Sequence, residues 1–117
     1  MRELYQPVQN LDCGFRFYAQ LLEPTRAERV HELYCEAYAS EPFVRVLPLG
    51  VSPGPKAVHG SNLCDLSTFV DFENDRLVVV SSIDNLLKGQ AGIALQNLNL
   101  MLGVEETCGL QRIPLYP

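Results

Sequence analysis

Hydrophobic and polar positions fall into a few clear periods along this chain. In "CGFRFYAQLL", residues 13–22, Phe15, Phe17, Ala19 and Leu21 alternate with Arg16, Tyr18 and Gln20. A period of two is that of a half-buried strand with its apolar side inward. The next segment changes to the helical period: Val30, Leu33, Tyr34, Ala37 and Tyr38 recur at i, i+3, i+4, i+7 and i+8. Thr25 and Glu28 precede that stripe with capping-box spacing, and Pro42 comes after it, so a helix is expected over 25–39.

"FVRVLP" reads as a short strand. Residues 49–62, "LGVSPGPKAVHGSN", hold three glycines and two prolines and form a loop. It exceeds the usual connection of about 4–6 residues, and long loops in compact domains tend to carry function. "LCDLSTFVDF", 63–72, alternates again, with Cys64, Leu66, Thr68, Val70 and Phe72 on one side and Asp65, Ser67 and Asp71 on the other. "END" turns the chain, and "RLVVVSSI" returns almost wholly apolar, which suits a central strand of a hairpin covered on both faces.

The last long segment predicts a helix over 86–102. Leu87, Ala91, Ala94, Leu95, Leu98 and Leu102 form a stripe suited to the sheet. Gly89, Gly92, Gln96 and Asn99 form a second line at i, i+3, i+7 and i+10. Each interior glycine costs about 1 kcal/mol of helix stability relative to alanine, so something should compensate. One reading is a loosely packed buried side. The other, favoured here, is a docking face for another domain, subunit or cofactor, which would leave that line exposed or shallowly covered in this chain. Ahead of the helix, Asp84 and Asn85 sit where a strand ends; either can cap. Such a corner is also where ligands with carboxamide or phosphate groups bind.

These elements predict an α+β fold in a single domain, 1–117. Its sheet is mixed or mostly antiparallel, of about four strands, with the two main helices on one face. The other face, with Arg16, Tyr18, Gln20, Asp65, Ser67 and Asp71, should meet solvent or a polar subunit interface. With 117 residues there is room for one domain only, and 47% hydrophobic against 20% charged residues marks a globular chain. The net charge of −5 argues against nucleic acid or an anionic membrane as partner. "MRELYQPVQN" lacks the apolar run of a signal peptide, and no stretch is long and apolar enough to span a bilayer. Cys13, Cys35, Cys64 and Cys108 are too widely spaced for a zinc pair and read as reduced cysteines of a cytoplasmic protein. His31 reads as structural, and His59 as a loop residue.

Three blocks, "EPFVRVLP", "KAVHGSNLCD" and "VVVSSIDNLLKGQAGIALQNLNLMLGVEETCGL", resemble the C-terminal part of the N-acetyl-gamma-glutamyl-phosphate reductases over roughly residues 13–110. The resemblance implies NADPH-dependent reduction of an acyl phosphate to a semialdehyde in arginine biosynthesis. In such enzymes a cysteine thiolate attacks the acyl phosphate, a histidine assists, and a Rossmann domain holds NADP. In that family the nucleophile lies in a G-C-Y type motif upstream of this region, as does the histidine. Here Cys13 precedes its glycine instead, and G-x-G-x-x-G does not occur. The resemblance therefore implies a substrate-binding and assembly domain without catalytic residues, inactive alone. Its partners would be an N-terminal nucleotide-binding domain that carries most of the NADP contacts, the acyl-phosphate substrate, and further copies of itself in a homo-oligomer.

Carried onto this chain, the resemblance places Asn85 near the nicotinamide carboxamide, with Asp84 as turn former and Gly89 beside it. It places Lys56, His59, Ser61 and Asn62 on the substrate side, His59 standing where arginine is expected. A histidine would hold an anion weakly near neutral pH. Lys88, Gly92, Gln96 and Asn99 become the face toward the nucleotide-binding domain. "QRIPLYP" reads as a plain tail. The alternative is a non-catalytic interaction or regulatory module that kept this fold.

Overall fold

A computed structural model describes residues 12–115; the N-terminal stretch read above for a targeting signal lies outside them. The chain runs β1 (Asp12–Gln20), α1 (Ala27–Ala37), β2 (Val44–Val46), a 3₁₀ turn (Pro55–Ala57), β3 (Cys64–Asp71), β4 (Arg76–Asp84), a π-helical turn (Leu87–Ala91) and α2 (Gly92–Leu102). The four strands form one sheet in the order β1-β4-β3-β2. β4 pairs antiparallel with β1 and with β3, and β2 joins β3 in parallel, so the sheet is mixed as expected. The valine-rich strand is central because it has a partner on each side, and its neighbours Val79 and Val80, which point to opposite faces, are both buried.

Register explains what covers each face. Arg45 lies opposite Asp65, and Asp65 opposite Ser82. The Arg45 guanidinium grips Asp65 with Nε at 2.6 Å and Nη2 at 2.9 Å, and Nη2 also donates to the Ala57 carbonyl at 3.0 Å. Ser67 donates to the Val51 carbonyl at 2.6 Å. The loop 49–62 is thereby laid over this side of the sheet, and Asp65 and Ser67 are buried. The expectation that these two residues meet solvent is overturned: a forked, hydrogen-bonded ion pair makes burial of the Asp65 carboxylate tolerable.

α1 packs against β3 and β2, with Val30 buried. Its capping box does not form. Thr25 Oγ1 donates instead to the Glu23 carbonyl, and the helix starts after Arg26, which makes no side-chain cap. His31 is structural, its Nε2 donating to the Leu47 carbonyl at 3.0 Å. Among the described residues little covers the apolar side of β1: Phe15 and Phe17 are 56% and 65% exposed.

The segment 86–102 departs most from its sequence pattern. It opens with the π turn, whose extra residue rotates the remaining turns relative to a regular helix. The expected leucine stripe splits: Leu87 and Leu95 are half-buried within the domain, while Leu98 and Leu102 turn outward, 48% and 67% exposed. The line read as exposed turns inward, with Gly92 and Asn99 buried inside the domain and only Gly89 left open. Asn99 Nδ2 donates to the carbonyls of Glu106 and Cys108, which folds the chain after α2 back along it. The supposed tail also returns, since Leu115 N–H donates to the His59 carbonyl. α2 ends at Gly103 in the left-handed region (φ 66°), the usual use of glycine at a helix end.

A Cβ on Gly92 would collide with Asn62 Oδ1 and sit 2.8 Å from the Leu87 carbonyl oxygen. The second contact is backbone and cannot swing away. Gly92→Ala should therefore destabilise the chain by about 1–3 kcal/mol, the range for overpacking, in place of the gain expected at an open helix site. Thermal melting of the two proteins checks this.

Candidate functional site

The candidate site is the corner where β4 ends and the chain enters the π turn, with the tip of the loop 49–62 beside it. Asp84 organises it. Oδ1 accepts the N–H groups of Leu86 and Leu87, each at 2.9 Å, and Oδ2 accepts the Gly60 N–H at 2.7 Å. His59 Nδ1 stands 3.5 Å from Oδ2. Burial pushes the Asp84 carboxyl up, but the N–H groups of Gly60, Leu87 and Leu86 and then the nearby His59 outweigh it, so the carboxyl lies below the usual aspartate range. Asp84 is thus the turn former, with both oxygens engaged inside the chain.

Beside it runs a polar chain. Lys88 Nζ donates to Gln96 Oε1 at 2.7 Å, Asn62 Nδ2 donates to the same oxygen at 3.1 Å, and Gln96 Nε2 donates to Glu106 Oε1 at 2.6 Å. Lys88 also stands 5.2 Å from the centroid of the Phe43 ring, a cation–π distance. Burial lowers the Lys88 ammonium below the ordinary lysine value, while the nearby Cys64, Glu106 and Glu41 oppose that shift. The Cys64 thiol is pushed up by burial, only partly offset by Lys88, so it is not an activated nucleophile.

The structure brings Asp84, Asn85, Lys88, Gly89, Gln96, His59 and Asn62 into one region. Asn85 is half-buried, and its Oδ1 would lie 3.1 Å from a Cβ placed on the exposed Gly89. Ser61 is fully buried; its hydroxyl donates to the Val58 carbonyl at 2.7 Å and accepts the Leu63 N–H at 3.3 Å, so it shapes the loop. Lys56 is exposed, on the 3₁₀ turn held by Arg45. Sequence reading missed Glu106, Phe43 and the Arg45–Asp65 pair. The pair had a signal, since opposite charges stand on two strands able to lie side by side. Glu106 and Phe43 had none, because they reach Lys88 only through the fold. Among the described residues, no group of three or more His, Cys, Asp and Glu could hold a metal ion.

Asp84→Asn tests the corner. A depressed carboxyl stabilises the fold above the unfolded value of about 3.9, and that contribution is lost as pH falls through the lower folded value. At pH 7 the variant should be less stable by roughly 1.5–3 kcal/mol, the worth of hydrogen bonds to a charged group. The gap should narrow as the medium is acidified past the folded value. Chemical denaturation of both proteins across that range measures it.

A family model described as the semialdehyde dehydrogenase dimerisation domain matches residues 14–85. Proteins named N-acetyl-gamma-glutamyl-phosphate reductase are similar: one from Bacillus mycoides (strain KBAB4) is 50% identical over 100 residues, and one from Geobacter metallireducens likewise. One from Bacillus cereus (strain B4264) is 46% identical over 99 residues. The match takes in 86% of this chain but only 29% of the Bacillus mycoides protein, so the chain spans under a third of that relative's length. With the family model matching well over half of its residues, the chain belongs to the semialdehyde dehydrogenase dimerisation-domain family.

Proposed function

We propose that this chain is the substrate-side and assembly domain of an N-acetyl-gamma-glutamyl-phosphate reductase, working in the cytoplasm with a nucleotide-binding domain. The observation that carries the reading is the pair of apolar surfaces this domain leaves open. One is the outward face of α2, with Leu98, Met101 and Leu102; the other is β1, with Phe15 and Phe17. Surfaces of this kind mark protein contacts. The α2 face suits the nucleotide-binding domain, and the β1 side suits a second copy, in keeping with the family's description as a dimerisation domain. The face toward the nucleotide-binding domain is thus the leucine side of α2, not the line of Gly92 and Asn99.

The strand-end corner offers an Asn85 amide next to an open Gly89. An amide there can pair with a carboxamide, which fits the nicotinamide end of NADP; the corner has no glycine-rich cradle for the phosphates. The cofactor would supply a hydride. This chain's residues would orient: Asp84 holds the corner rigid, while Lys56 and His59 on the loop face an anionic substrate. The nucleophilic cysteine would come from the partner region; Cys64 here is half-buried, with its thiol pushed up by that burial.

The decisive experiment joins this domain to its nucleotide-binding region and follows NADPH oxidation with N-acetyl-gamma-glutamyl phosphate. The joined protein should turn over and the 117-residue chain should not. Turnover by the chain alone, or none by the joined protein, overturns the reading, and the second result favours the non-catalytic module. Leu98→Glu should leave the melting temperature of the isolated chain nearly unchanged, as exposed substitutions usually stay within about 0.5 kcal/mol, yet lower the joined protein's rate. Lys56→Ala should raise the KM for the acyl phosphate and leave stability alone.

A further inference from the structure

After α2 the chain is anchored by Asn99, which holds the Glu106 and Cys108 carbonyls, and by the buried Leu110. It then runs on through 111–115 to the tip of the loop 49–62. There the Leu115 N–H donates to the His59 carbonyl at 2.9 Å. The Gly60 N–H donates to Asp84 Oδ2 at 2.7 Å. That carbonyl and that N–H are the two polar ends of one planar peptide group, between His59 and Gly60. The segment 111–115 holds one end and the last residue of β4 holds the other.

The double hold matters because of the residue it acts on. Gly60 sits at φ 73°, in the left-handed region. Glycine takes either sign of φ about equally readily, so the His59–Gly60 plane can turn over at little backbone cost. Turned over, it would aim a carbonyl oxygen at the Asp84 carboxylate and the N–H away from it. The Leu115 side chain lies against the same spot, since a Cβ on Gly60 would stand 2.5 Å from Leu115 Cγ and Cδ1. Leu115 is otherwise 69% exposed, so no core holds it in place.

We propose that residues 111–115 are a strap that selects one orientation of the His59–Gly60 peptide, with Leu115 as the positioning residue through its N–H. In that orientation Gly60 gives Asp84 its third N–H, and the His59 ring stands beside Oδ2. Release of the strap frees the plane to turn, takes a donor from Asp84, and moves His59 on the loop that also carries Lys56. The strap thus sets how that loop presents its two basic side chains. The proposal does not depend on the reductase reading, since it uses no cofactor and no partner domain.

Two variants of the 117-residue chain test it: Leu115→Pro removes the N–H and keeps an apolar side chain, and Leu115→Ala keeps the N–H. NMR follows amide hydrogen exchange at Gly60 and the carboxyl titration of Asp84. Burial pushes that carboxyl up, and the N–H groups, Gly60 first, bring it below the usual aspartate range. In Leu115→Pro, Gly60 should exchange about tenfold faster and the Asp84 midpoint should rise toward the ordinary aspartate value. Val79 and Val80 in the central strand should keep their exchange rates, and Leu115→Ala should stay close to the parent on every count. Unchanged Gly60 exchange or an unchanged Asp84 midpoint in Leu115→Pro overturns the proposal. Equally faster exchange at Val79 and Val80 also overturns it, because the strap would then only support the fold as a whole. So does a Leu115→Ala variant that behaves like Leu115→Pro, which would place the hold in the side chain.

Discussion

One carboxylate sets the geometry on which the rest of this domain depends. Asp84 ends the central strand and collects three backbone N–H groups, two from the turn ahead of it and one from the distant loop at Gly60. Unpaired N–H groups at a helix start must be satisfied somewhere, and an ionised acceptor satisfies them best. By taking donors from both segments, Asp84 fixes where the helix leaves the sheet and where the loop tip sits. The corner and the polar chain through Gln96 take their positions from that junction.

The π turn next to it has a matching consequence. Inserting one residue into a helix rotates the remainder, so α2 presents Gly92, the amides and Leu95 to its own domain and Leu98 and Leu102 outward. The inward line can be close-packed because Gly92 has no side chain, because Asn62 pairs with Gln96, and because Asn99 pairs with the returning backbone. These polar residues pack beside the buried Leu110 and the half-buried Leu87 and Leu95, with Asn62 Oδ1 left unpaired. Among the described residues, Leu98 and Leu102 on the outward side have little covering.

Much of the fold was legible in the sequence because burial and backbone period coincide there. The alternation in 63–72 and the valines of 76–80 marked a hairpin at the sheet centre, and the stripe from Val30 marked α1. The polar face was misread since alternation reports which residues share a side, not what lies on it. Asp65 and Ser67 share a side as expected, but a loop held by Arg45 covers them. Likewise Thr25 had the spacing of a cap, yet the helix starts late and its hydroxyl turns to Glu23.

By itself the sequence determined the strand and helix periods, the hairpin, and the presence of a turn at Asp84 and Asn85. These are local matters, decided by dihedral preference and by residues near one another along the chain. Tertiary structure alone decided which side of that helix is inside. The choice rests on a single residue inserted in the π turn, on Asn62 arriving from well upstream to lie against Gly92, and on Glu106 closing the amide chain from beyond the helix. A periodic pattern cannot register these, because a helical stripe names a direction only relative to a partner, and the partner is set by where the chain folds back.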